Sequence, residues 1–165
     1  MHFALINQTS ELGLQVLAYL ALSGASGPVP PRIIAEYIGA SPTYTSKVSN
    51  LLARAGIVRA QRGANGGVLL ERKTNTITVL EVVEACQGKF LADYCTPHDN
   101  LDEVCGFHKA MHELHASIIR VLGKWTIADL VAQPCPTEAI IDTVDCRMKW
   151  CKGLLNKKAF TKRNY

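Results

Sequence analysis

Gly63-Ala64-Asn65-Gly66-Gly67 constrains the fold of this chain more than any other stretch. Residues 57–62 before it and 68–71 after it are short and rich in branched apolar side chains. The glycines therefore predict a tight turn between two strands. A short amphipathic helix leads directly into this hairpin. Ser41 is suited to cap it, Pro42 to take the first helical position, where a missing N–H costs nothing, and Gly56 to stop it. Tyr44, Val48, Leu51, Leu52 and Ala55 make its apolar face. Residues 32–38 place Ile33, Ile34, Tyr37 and Ile38 on one face of another short helix, joined to the first by Gly39-Ala40-Ser41. Two short helices on so tight a turn read as a helix-turn-helix, and the hairpin after it as a wing.

The remaining segments fit around that unit. Residues 9–22 carry apolar side chains at helical spacing, with Thr9 or Ser10 as the expected N-cap, and the Ser/Gly/Pro-rich residues 23–31 break the pattern. Thr78 with Glu81 three residues on is a capping box that opens a further short helix reaching Cys86. Residues 87–103 lack periodicity and hold Gly88, Pro97, Asp99 and Asn100, as a loop would. Val104, Phe107, Met111, Leu114, Ile118, Val121 and Trp125 then recur at alternating steps of three and four. That is an a/d seam over three heptads. A helix packed on its own small domain usually shows a wider stripe. The narrow seam predicts a partner helix, most simply the same helix of a second copy in a homodimer. Residues 126–131 read as a short terminal helix. The expected class is mainly α with a small β-hairpin wing: a winged helix-turn-helix plus a long dimerisation helix.

Charge divides along the same lines. Residues 1–80 carry seven Lys/Arg against three Asp/Glu, residues 81–145 four against eleven, and residues 146–165 seven against none. The second helix of a helix-turn-helix enters the major groove with its first residues at the base edges. Those residues are Ser41, Thr43, Tyr44, Ser46 and Lys47. Arg59 and Arg62 flank the wing, where an arginine suits a narrow minor groove. Each charge alone could be an ordinary solvated one; on a winged helix with excess positive charge they predict a double-stranded DNA operator as partner. Residues 1–86 form the expected DNA-binding domain, 87–103 a sensor loop, 104–131 the dimerisation helix with its short terminal helix, and 132–165 a basic, cysteine-containing tail.

The run from Ala55 to Leu70 resembles the wing signature of the Rrf2 family of bacterial regulators. So do Ile77-Thr78-Val79-Leu80-Glu81-Val82-Val83-Glu84-Ala85 and Trp125-Thr126-Ile127-Ala128-Asp129-Leu130. The three motifs cover roughly residues 8–131 in order. The resemblance implies a homodimeric winged-helix transcription factor with a long crossing dimerisation helix. It places Ser41, Thr43, Ser46 and Lys47 at the major groove and Arg62 at the wing. Several of these side chains differ from better-known members, so the operator need not match theirs.

The resemblance also implies a cofactor. Many members hold an iron–sulfur cluster through three cysteines near the start of the dimerisation helix. Cys95 and Cys105 match the outer two, at a shorter spacing, and no middle cysteine is present. His108, three residues after Cys105, matches a histidine that completes such sites, and Glu11 matches a position from which some members supply an acidic ligand across the dimer. The implied site is a mixed one, Cys95 and Cys105 with His108 or Glu11, holding a 2Fe–2S cluster. Helical spacing offers a rival: Cys105, His108, His112 and His115 share one stripe that suits zinc, with His98 close to Cys95 in sequence. A plainer reading leaves the histidines solvated and Cys95 a loop thiol. Cys86 lies on an apolar helix face and reads as a core thiol. Cys135, Cys146 and Cys151 fall beyond the family match, the last two among basic residues that favour reactive thiolates.

Several classes are excluded. His112-Glu113-Leu114-His115 is not the metalloprotease pattern, and the glycine run lacks the Lys-Ser/Thr of a phosphate-binding loop, so no enzyme is expected. No apolar run is long enough to cross a membrane, and the start of the chain lacks a secretion signal. A cytoplasmic protein follows, in which six cysteines do not make a disulfide framework. The expected function is a repressor sensing redox state, iron–sulfur status or nitric oxide. The alternatives are a regulator sensing zinc, a thiol oxidant or a small molecule, and a module that recruits a protein partner through the seam.

Overall fold

Helix α1 (Gln8–Ser23) is apolar on nearly every side, and the computed structural model puts it at the centre of the molecule. The structure describes residues 5–63, 65–90, 100–137 and 148. Around α1 stand α2 (Pro31–Ile38), α3 (Pro42–Arg54), α4 (Val79–Gln87) and α6 (Ile127–Ala132), with α5 (Gly106–Lys124) running along α4. Leu17 of α1 is buried with Ile34, Val48, Leu52, Val82 and Ile127, one from each surrounding helix except α3, which supplies two. Gly13 lets α4 come close, because a Cβ there would lie 2.7 Å from Cys86 Sγ. The α1 cap is Asn7, whose side chain accepts from the Ser10 N–H, rather than Thr9 or Ser10. Thr9 lies inside the helix, and Ser10 turns its hydroxyl toward α4.

The wing is an antiparallel hairpin of β1 (Val58–Gln61) and β2 (Gly67–Leu70), pairing Val58 with Leu70 and Gln61 with Gly67. β1 is shorter than the sequence pattern suggests, since Ile57 turns into the core, and β2 has the expected length but starts one residue earlier, with the Glu71 N–H beyond it donating to the Ile57 carbonyl at 3.1 Å. Val29, just before α2, adds a bridge to the outer side of β2. Its N–H donates to the Val68 carbonyl and its carbonyl accepts from the Val68 N–H, both at 2.9 Å. This backbone passes so near Gly67 that a Cβ would lie 2.4 Å from the Val29 carbonyl carbon. The bridge fixes the wing to the domain.

A 3-10 turn at Thr74–Thr76, with no sequence signal of its own, leads from the wing to α4. Thr78 and Glu81 form the expected capping box. Thr126 and Asp129 form a second one at the start of α6. The two threonines lie side by side in extended backbone. Val79 N–H donates to the Trp125 carbonyl at 2.8 Å, and Ile127 N–H to the Ile77 carbonyl at 2.9 Å. The far end of α5 is thereby joined to the near end of α4, and α6 returns beneath α1. Among the described residues, no helix is long and apolar enough to cross a membrane.

Candidate nucleic-acid interface

The turn between α2 and α3 is built on two short-range devices. Gly39 takes the left-handed conformation, φ 74°, and closes α2 through its N–H to Ala35. Ser41 then caps α3 by accepting from the Tyr44 N–H, with Pro42 at the first helical position. The helix buries Thr45, Val48, Ser49 and Leu52 and turns Thr43, Lys47, Asn50 and Arg54 outward. These four are spaced 4, 3 and 4, one straight row along the exposed side. No Asp or Glu occurs in α3, nor between Val58 and Gly67. The outward row of the helix and Arg62 at the wing turn therefore present cations with no acidic residue in their own segments, while Arg59 is met by Glu71 from just beyond the hairpin.

The residues expected at DNA are not equivalent in space. Ser41, Thr43 and Lys47 are exposed. Ser46 is half-buried and donates its hydroxyl back to the Pro42 carbonyl at 2.9 Å. Tyr44 packs against the core, and its hydroxyl oxygen lies 2.6 Å from Thr9 Oγ1 of α1. Arg59 forms a cross-hairpin ion pair with Glu71 at 3.4 Å. That pair is open to solvent and easily exchanged for a phosphate. Arg62 is exposed at the wing turn. Asn50 and Arg54 lie beyond the first turn that the sequence reading singles out, but their spacing from Thr43 and Lys47 carries them to the same side.

The cofactor residues divide differently. Cys95 and His98 lie outside the described residues, as do Cys146 and Cys151. Cys105 is exposed at the N-cap of α5 and makes no side-chain capping bond. His108, one turn on, is 5% exposed. His112 is exposed, and His115 is half-buried with Nε2 on the Phe90 carbonyl. The helix thus turns His108 and His115 inward and His112 to solvent. Glu11 sits in the first turn of α1, half-buried. Among the described residues, no three His, Cys, Asp or Glu side chains come together as a metal site. Cys105 and His108 are a pair of donors at most, so the described residues by themselves do not fit a four-ligand cluster. Cys86 is half-buried among apolar side chains, and that burial pushes its thiol up to about 11. Cys135 is half-buried near Ala18.

The seam residues divide by exposure. Phe107 is 60% exposed and Leu114 51%, with Val121 and Trp125 close to half exposed. Val104, Met111 and Ile118 are half-buried, Val104 and Trp125 lying just outside the helix proper.

The fold and the motifs have counterparts among known proteins. The sequence profile of the Rrf2 family, described as an iron-dependent transcriptional regulator, matches residues 6–133. A protein of Rhizobium meliloti named aau3 is 31% identical over 130 residues, covering 76% of this chain and 84% of that protein. The structure of IscR from T. potens superposes with a TM-score of 0.62 at 26% identity, covering 83% of this chain and 91% of that one. CymR, the global cysteine regulator of B. subtilis, superposes with a TM-score of 0.64 at 24% identity, covering 79% and 98%, and supports the fold.

Proposed function

This chain belongs to the Rrf2 family of transcriptional regulators, and we propose that it acts as a homodimeric, sequence-specific DNA-binding repressor in the cytoplasm. The observation that carries this reading is the acid-free outward row Thr43, Lys47, Asn50 and Arg54 beside the arginines of the wing. Residues 1–86 bind DNA, residues 87–103 sense, and residues 104–131 pair the two protomers. Thr43, Lys47 and Asn50 meet base edges, Ser41 and Arg54 the flanking phosphates, and Arg62 the adjacent minor groove. The apolar side chains exposed along α5 are the surface that a second copy covers, most simply the same helix. Two reading helices related by a two-fold axis then select a palindromic site.

The test is a gel-shift series on the full chain with duplexes selected from a random library. Lys47→Ala with Arg62→Ala is expected to weaken binding at least tenfold, since each lost contact removes roughly 1 kcal/mol or more. Unchanged binding overturns the assignment of residues 41–62.

For the sensor we favour an iron–sulfur cluster at Cys95 and Cys105, completed by His108 or by Glu11 from the other protomer. The exposed Cys105 thiol one helical turn before His108 supports it. Anaerobically purified protein should be brown and contain iron and acid-labile sulfide. Colourless protein without iron or sulfide would overturn the cluster.

A further inference from the structure

We propose that Thr9 of α1 is a positioning residue for the reading helix, acting through the Tyr44 hydroxyl. This rests on the DNA-binding reading above and assigns Tyr44 to the holding of α3 rather than to the reading of bases. The two hydroxyl oxygens are 2.6 Å apart, one donating to the other, across 35 residues of sequence. Both side chains are half-buried, and the Tyr44 ring packs on the core.

The buried side of α3 gives no comparable restraint. Val48 and Leu52 are fully buried apolar contacts, and Thr45 Oγ1 and Ser49 Oγ, buried beside them, have no hydrogen-bond partner among the described residues. Apolar attraction is non-directional and sets the roll of the helix about its axis less sharply than a directional bond does. A short hydroxyl–hydroxyl bond is directional, because it weakens steeply with angle and distance. A roll would carry Thr43, Lys47 and Asn50 together away from their base edges. Thr9 in turn has a firm seat. Asn7 Oδ1 accepts from Ser10 N–H at 3.0 Å, and Gln87 Oε1, at the end of α4, accepts from Ser10 Oγ at 2.8 Å and from Asn7 N–H at 3.0 Å. Gln87 Nε2 donates to the Leu5 carbonyl at 3.1 Å. The first turn of α1 is pinned to α4 on one side and holds α3 on the other.

The test uses the full-length protein and a duplex enriched by it from a random-sequence library. The readout is the ratio of affinities for that duplex and for its scrambled counterpart. Thr9→Val and Tyr44→Phe, which keep shape and lose one hydroxyl, should each lower the ratio by about fivefold, the loss of one hydrogen bond. The double variant should fall no further than either single one, and Thr9→Ser should keep the original ratio. A bond with a structural role alone would lower the unfolding midpoint and leave the ratio unmoved, which overturns the proposal. A loss for Tyr44→Phe without one for Thr9→Val means that Tyr44 contacts DNA itself, and also overturns it. Failure of the unaltered protein to enrich any duplex overturns the DNA-binding reading, and this inference with it.

Discussion

At the scale of single residues, the cysteines show how position decides chemistry. Thiolate is the reactive form, and burial holds Cys86 in the thiol form to about 11. Cys105 is open to solvent at the head of α5. Iodoacetamide at pH 8 should label Cys105 in the folded, cluster-free protein and spare Cys86 until the chain is unfolded; mass spectrometry of labelled peptides checks this, and early labelling of Cys86 would contradict it. The core place of Cys86 was legible from its apolar helix face. Tyr44 was not legible in the same way. Its position near the start of the second helix marks it as a reader, and nothing local reveals Thr9, which meets it from another helix. Asn50 and Arg54 are the converse case, since the spacing that exposes them is written in the sequence.

Elements are held mostly at their ends. Thr78→Ala removes half of a capping box and should cost about 1 kcal/mol, read as a lower thermal midpoint. The carboxyl in that box also sets a pH dependence. Partial burial works to raise the Glu81 pKa, but the Thr78 N–H and the Arg72 guanidinium outweigh it and hold the group below its ordinary 4.5. A carboxyl lowered in the folded state stabilises fully above its unfolded value and loses that contribution as pH falls through the folded one. Glu81→Gln should therefore flatten the fall of stability below about pH 4.5, followed by denaturant titration. The wing depends on Gly67. A Cβ there meets Val29 backbone atoms at 2.4 and 2.5 Å, and Gly67→Ala should destabilise by more than about 1 kcal/mol and weaken DNA binding. Helix starts at Ser41 and Thr78 could be read directly, because Ser, Thr and Pro act within one turn. The Val29 bridge could not, since it joins residues 39 apart through backbone groups that every sequence possesses.

For the whole molecule, the proposed assembly turns on the long helix. Leu114→Asp with Val121→Asp places charge in the outward seam and should leave a folded monomer by analytical ultracentrifugation, with the far-ultraviolet spectrum retained. A persisting dimer would show that another face mediates it. The heptad spacing picks out this row, of which Phe107, Leu114, Val121 and Trp125 are exposed and Val104, Met111 and Ile118 half-buried. The junction at the other end of α5 was beyond any local pattern. There, Ile77–Val79 and Trp125–Ile127 lie against one another and share two backbone hydrogen bonds. In mechanical terms this is a lap joint instead of a hinge. In the proposed dimer, a torque along α5 would be borne by the main chain of α4, not dissipated in a slack connector. The winged helix would then swing with the shaft that carries it, and a small twist about the axis of the proposed dimer would become a larger change in the gap between its two wings.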